Sequence, residues 1–244
     1  MTPLSDHVAE AERLIDAATR EGTVLRALGG VAVHMRCPSA LDPPLARTPK
    51  DLDFAATGKH RNSLIALFCQ AGYQEDAEFN ALHGKTRLFF WDADNARQAD
   101  VFLDRVSMCH SLDLADRLDE HPTTLSVSDL LLLKLQVFET NDRDYKDALS
   151  LLLDHAEAGI DVQYIAELLG RDWGWWRTAT MVLERIDRYA RELDGFDRQN
   201  DVHYRVRDLL AAIEQAPKSR RWKIRARVGD RTRWYELPEE TLPG

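Results

Sequence analysis

Apolar and polar positions along the chain follow one period and then another. Over residues 5 to 20, Leu14, Ile15, Ala17 and Ala18 make a helical stripe, Ser5 or Asp6 stands ready to cap it, and Gly22 ends it. TVLRALGG predicts a short strand closing on two glycines, and VAVHMR a short helix that starts at them. CPSALDPPLARTPK holds four of the nine prolines and predicts a long loop, of the kind that is either functional or mobile. DLDFAA is the next predicted strand and RNSLIALFCQAGY an amphipathic helix closed by Gly72. KTRLFFWDADNARQADVFLDRV predicts a β-hairpin, two apolar segments about the polar turn Asp92–Gln98. From Leu112 the pattern is helical. SVSDLLLLKLQVFE opens on a Ser126-x-x-Asp129 capping box, DRDYKDALSLLLDHA follows Asn141, and two or three more helices cover roughly 161 to 215. The tail RWKIRARVGDRTRWYEL reads as another hairpin, turning at Gly229–Asp230. The order is a mixed α/β half followed by a mainly helical half, divided near residues 110 to 125.

Composition narrows the class. With 244 residues, 44% hydrophobic and 30% charged, the chain can bury a core of ordinary size. A net charge of −9 disfavours general binding to nucleic acid but leaves room for a local basic patch. No apolar run approaches the ~20 residues of a membrane span. The acidic, amphipathic start MTPLSDHVAEAERLIDAA is unlike a signal peptide, so the expected compartment is the cytoplasm. Cys37, Cys69 and Cys109 are odd in number and far apart, which argues against a disulfide framework or zinc ribbon and predicts buried or half-buried thiols. The eight histidines show no metal-ligand spacing, and His34 falls in an apolar helix pattern.

The chemistry centres on ARTPKDLDFAA. Residues i and i+2 of a strand share a face, so Asp51 and Asp53 point one way while Leu52 and Phe54 enter the core. Side-by-side carboxylates repel unless water solvates them or a cation sits between them. A lone D-x-D fits a wet strand face. As a metal site it suits Mg²⁺, which takes one or two carboxylates, waters and substrate phosphates. Gly29–Gly30 ahead of a helix is either a plain turn or a place where backbone can approach a phosphate. In QADVFLD, Val101 and Leu103 face the core and Asp100 the opposite side, as a third carboxylate or a general base. Asp92, Asp94 and Asp104 are its rivals, the first two reading as solvated turn residues. Lys134, Arg143, Lys146 and Asp147 in the helical region form either an inter-helix ion pair with a snorkelling lysine, or a basic wall for a triphosphate.

LGGVAV, RTPKDLDF and ADVF together resemble the nucleotidyltransferase fold of the DNA polymerase β superfamily. RTPKDLDF followed by LLLLK and DRDYKD is similar, more narrowly, to the AbiEii-type nucleotidyltransferases, which include toxins of toxin–antitoxin systems. The resemblance covers roughly residues 20 to 155. It implies an α/β fold, a small mixed sheet flanked by helices, in a catalytic domain 1–115; the pattern of the remainder makes 116–244 a helical domain with a basic C-terminal hairpin. It also implies transfer of a nucleoside monophosphate from an NTP with Mg²⁺ or Mn²⁺, with Asp51, Asp53 and Asp100 catalytic and metal-binding. Gly29, Gly30, Arg47, Thr48, Lys134, Arg143 and Asp147 would bind the nucleotide. The proline-rich stretch from Gly30 to Asp51 is longer than the family's usual spacing. The geometric expectation is that Asp51, Asp53 and Asp100 converge on one cleft near Gly30.

The acceptor is open: an RNA end, possibly tRNA, a protein hydroxyl, or a small molecule of the aminoglycoside type. A catalytically inactive scaffold of the same fold is the other class, and an antitoxin is the partner implied by the toxin likeness. Residues 217 to 234 carry eight Lys or Arg against one acid, +7 in a chain whose remainder is −16. Arg221, Lys223, Arg225, Arg227, Arg231 and Arg233, interleaved with Trp222 and Trp234, suit RNA contact, or else dock on the protein's own acidic surface or on another copy. Trp173, Trp175 and Trp176 read as core or interface.

Overall fold

The computed structural model describes residues 2–155 and 159–236. The chain divides into two compact units: Met1–Cys37, Arg47–Val106 and Leu112–Ser126 form the first, and Pro38–Ala46, Ser107–Ser111 and Val127–Gly244 the second.

The first unit is built on a five-stranded mixed sheet. Helix α1 (His7–Arg20) is capped by Asp6, whose side chain accepts from the Ala9 N–H. Strand β1 (Leu25–Leu28) leads directly into α2 (Gly29–Arg36). Then come β2 (Leu52–Ala56), α3 (Arg61–Gln70), the two-residue β3 (Gln74–Glu75), α4 (Ala77–His83), β4 (Arg87–Asp92) and β5 (Arg97–Leu103). The strand order is β1-β2-β5-β4-β3, with β2 and β5 parallel and the other pairs antiparallel. Leu52, Phe54, Leu88, Phe90, Ala99 and Val101 lie on one face and are buried. There Phe68 of α3 stacks on Phe90 with centroids 4.4 Å apart and meets Phe54 and Tyr73 edge-on. A short ladder of β6 (Arg105–Ser107) with β7 (Ser111–Asp113) follows.

The mixed α/β expectation holds, including the hairpin of β4 and β5. Residues 112 to 126, expected to be helical, contain no helix among the described residues. Thr123 O accepts from Ala27 N–H, and Leu125 N–H donates to Ala27 O. The segment thus covers the outer edge of β1, whose backbone groups would otherwise lack partners.

The second unit is helical: α5 (Val127–Leu135), α6 (Asp142–Asp154), α7 (Val162–Arg171), α8 (Trp173–Glu192), α9 (Gln199–Gln215) and α10 (Arg220–Val228). Asn141 and Asp144 form a reciprocal capping box on α6. Trp173 and Trp175 are buried and Trp176 half-buried, in keeping with a core role.

The C-terminal hairpin is not formed. Its place is taken by α10, capped by Ser219, whose hydroxyl accepts from Trp222 N–H, and stopped at Gly229, whose φ is +60°. Trp222 packs edge-on to Trp176, 5.2 Å between centroids, and Trp234 edge-on to Trp173 at 6.0 Å. Leu237, the last residue of the expected hairpin, lies outside the described residues. Cys37 and Cys109 are buried, but Cys69, near the end of α3, is exposed, against expectation. Among the described residues no helix is long and apolar enough to cross a membrane.

Candidate active site

The parallel pairing of β2 with β5 sets Asp53 opposite Asp100 and Phe54 opposite Val101. Register partners on neighbouring strands point to the same side, about 4.8 Å apart. With Leu52, Phe54 and Val101 turned into the core, both carboxylates emerge on the other face. Asp53 is half-buried, Asp100 buried, and Asp51, just ahead of β2, exposed.

Asp100 sits in a constructed environment. Its Oδ1 accepts a 2.6 Å bond from Nε of Arg87 on the adjacent strand β4. Burial pushes the Asp100 carboxyl above its ordinary range, the Arg87 bond pulls it back down, and the Asp51 carboxylate pushes it up again. Asp51 and Asp100 therefore share one electrostatic neighbourhood, and the strand register puts Asp53 beside Asp100.

The glycine turn meets the same neighbourhood. Leu28, the last residue of β1, is the register partner of Asp53, which brings Gly29 beside Asp53. Gly29 has φ +65°, and a Cβ there would overlap Asp53 Oδ2 and lie 3.2 Å from Asp53 Cγ. A Cβ on Gly30 would overlap Nη2 of Arg47 and lie 3.0 Å from Nη1. Backbone at the start of α2 is thus in close approach to the Asp53 carboxylate at Gly29 and to the Arg47 guanidinium at Gly30, which sets helix N–H groups beside a cation. Arg47 also donates to Thr48 O at 3.5 Å, and Thr48 is exposed.

The remaining sequence candidates lie in the second unit. Lys134 Nζ pairs with Asp147 at 2.8 Å and Asp144 at 3.0 Å. Burial works against its charge, but these two carboxylates outweigh it and hold the ammonium above its ordinary value. Arg143 is exposed, and its backbone N–H serves the Asn141 cap. Of the basic tail, Arg221, Lys223, Arg227, Arg231 and Arg233 are exposed. Arg225 turns inward, donating to Gly229 O and Thr232 O with its guanidinium 4.6 Å from the Trp173 ring centroid. Trp222 and Trp234, open to either role in the sequence, pack on α8, as the docked alternative has it.

Asp92 corrects another expectation. It is fully buried and paired with the equally buried Arg97 at 2.8 Å. The cause is register: Asp92 partners Arg97 at the end of the hairpin and shares its face with Leu88 and Phe90. Arg97 further donates to Leu4 O and Ser5 O. Asp104 accepts from Gly58 N–H at 3.0 Å.

Among the described residues, no three acids, histidines or cysteines already stand as ligands around a common point. The Arg87 bond engages Oδ1 of Asp100. The donor chemistry nonetheless fits a hard divalent cation, since the set is made of carboxylate oxygens. Sequence reasoning missed Arg87. Only the β4–β5 register, with Phe89 opposite Asp100, reveals that Arg87 shares its face.

No family model matches the chain. No curated protein matches it. Among solved structures it is similar to the lincosamide antibiotic adenylyltransferase LnuA in its lincomycin-bound crystal form. That likeness has 12% identity and a TM-score of 0.38, and covers 57% of this chain and 92% of that one.

Proposed function

We propose that the chain is a metal-dependent nucleotidyltransferase that moves a nucleoside monophosphate from an NTP to a hydroxyl of an RNA or protein acceptor. The observation that carries this reading is the β2–β5 register. It sets Asp53 beside Asp100 on the sheet face away from the core, with Gly29 backbone against Asp53. A scaffold has no need of a buried third carboxylate aligned with the D-x-D pair.

In this reading the N–H groups at the start of α2, together with Arg47, hold the triphosphate at the β1–β2 end of the site. The acceptor oxygen forms a bond to the α-phosphorus as the bond to the β-phosphate bridging oxygen breaks, and pyrophosphate leaves. The hydroxyl proton passes to Oδ2 of Asp100, since Oδ1 is engaged by Arg87. A divalent cation held by Asp51, Asp53 and Asp100 would neutralise charge building on the phosphate oxygens and lower the pKa of the hydroxyl. The triphosphate cation assigned here is Arg47, whose guanidinium lies against Gly30 at the start of α2.

Incubation with Mg²⁺ and each labelled NTP, with total tRNA and cell lysate as acceptors, tests the reading. Label should pass to one acceptor fraction and vanish in Asp51→Ala/Asp53→Ala. Transfer that persists in that variant would refute the site. The narrower toxin likeness predicts growth arrest when the chain is expressed without a neighbouring antitoxin, and unimpaired growth removes that role.

A further inference from the structure

The reaction above makes no use of the outer part of Arg87 or of the aromatic side chains around it. The Arg87 guanidinium carbon lies 5.0 Å from the Phe102 ring centroid and 5.7 Å from that of Phe79. With Nε bonded to Asp100, the planar group is pinned in place. Among the described residues its Nη1 and Nη2 meet no hydrogen-bond partner, and the side chain is 23% exposed. A cation this well fixed, with two amino groups to spare, is a ready donor for an anionic oxygen.

Phe89 and Trp91 continue the same face of β4. Phe89 is the register partner of Asp100 and Trp91 that of Gln98. Phe89 is half-buried against Phe79, 5.7 Å between centroids, and Phe102 lies under Arg87, while Trp91 is 36% exposed and leaves its ring open to a ligand on the face that carries Asp100.

Strand order decides which substrate meets these groups. Gly29 follows β1, Asp53 is on β2, Asp100 on β5 and Arg87 on β4. At about 4.8 Å per strand, Arg87 stands roughly 14 Å from β1. A triphosphate cradled at Gly29–Gly30 occupies one flank of the carboxylates, and Arg87 with Phe89 and Trp91 occupies the other, where the acceptor must enter.

We propose, on the nucleotidyltransferase reading, that Arg87 is the specificity-determining residue for the acceptor: it binds an anionic oxygen next to the attacking hydroxyl, and Trp91 carries a flat ring beyond it. The acceptor is then the phosphodiester end of a single-stranded nucleic acid. A cationic small molecule would offer the Arg87 amino groups no anionic oxygen, and a neutral protein hydroxyl would leave them unused.

The test is equilibrium binding of a short single-stranded RNA, labelled with fluorescein at its 5′ end, measured by anisotropy without NTP. Arg87→Met should weaken binding about tenfold and lower the salt slope by about one ion. Arg87→Lys should keep the slope but lose part of the affinity, because it retains charge without the planar fork. Trp91→Ala, at a surface position that tolerates truncation, should weaken binding about tenfold with the slope unchanged. In transfer assays, the acceptor KM should rise in all three variants while the NTP KM holds. The proposal is overturned if Arg87→Met, or Arg87→Lys and Trp91→Ala where the methionine variant fails to fold, bind RNA as the parent does. It is overturned as well if the NTP KM rises instead. Failure of the nucleotidyltransferase reading shows separately, as transfer that survives loss of Asp51 and Asp53.

Discussion

Gly29 offers a test with its own control inside the molecule. Its φ of +65° is the left-handed region, and a side chain there costs about 1–2 kcal/mol in backbone energy. Gly22 has nearly the same conformation, φ +69°, but an added Cβ at Gly22 would meet nothing within 4 Å. Gly29→Ala adds a second effect: its Cβ would overlap Asp53 Oδ2 and stand 3.2 and 3.3 Å from Asp53 Cγ and Cβ. Ordinary carbon contact begins near 3.5 Å, so the carboxylate must retreat by about 1 Å or turn away. A misplacement of about 1 Å in a catalytic group can lower the rate roughly 100-fold, equivalent to about 2.7 kcal/mol of barrier. Both alanine variants should therefore lose similar stability in urea titrations, while only Gly29→Ala loses nucleotide transfer. If Gly22→Ala and Gly29→Ala transfer label at equal rates, the Gly29–Asp53 approach has no part in catalysis and the site is misassigned.

Two further outcomes concern stability. His110 is stacked on Trp175 with its Nε2 2.8 Å from Thr178 Oγ1, and burial pushes it down to about 4 from its ordinary 6.5. Between those values the unfolded chain takes a proton that the folded chain refuses. Stability should thus fall as pH drops from 6.5 to 4, by up to roughly 3 kcal/mol, and urea midpoints of His110→Gln should lose that part of the slope. Asp92→Ala strands the Arg97 guanidinium, whose side chain is only 1% exposed, and should cost about 3–5 kcal/mol in urea unfolding. The double change Asp92→Leu/Arg97→Met should recover most of that loss, and an equally unstable double variant would refute the stranded-charge account.

Local signals in the sequence carried the elements and only part of the site. Alternation alone identified Leu52 and Phe54 as core residues and put Asp53 on the other face, and the same logic oriented Asp100 against Val101 and Leu103. Alternation cannot say which strand lies beside which. The meeting of Asp53 with Asp100 is a parallel register between segments separated by two helices and two strands, and it is fixed by packing. Arg87 was hidden for the same reason, as one of 32 Lys and Arg residues until the β4 register singles it out. Asp92 misled in the opposite direction. DADN has the composition of a wet turn, yet a partner five residues on let the carboxylate go inside.

The tail shows how an ambiguous period leaves two functional readings open until the element is known. In RWKIRARVG, Trp222, Ile224, Ala226 and Val228 alternate as a strand would, and Trp222, Arg225, Ala226 and Gly229 recur at three, four and seven as a helix would. The second set is the half-buried one, while Ile224 and Val228 are exposed. Ser219 as cap and the hold of Trp222 on Trp176 favour the helix. Once α10 forms, its one aromatic ring, Trp222, is turned onto α8. Arg220, Arg221, Lys223 and Arg227 are left on the outside without an acidic partner among the described residues. A surface of cations without rings can attract a polyanion but cannot stack a base, so it adds salt-dependent affinity and no base preference. A ring open to a base stands instead at Trp91, on the sheet face that carries Asp100. If the acceptor is a nucleic acid, its non-specific attraction and its recognition therefore belong to different units of the chain.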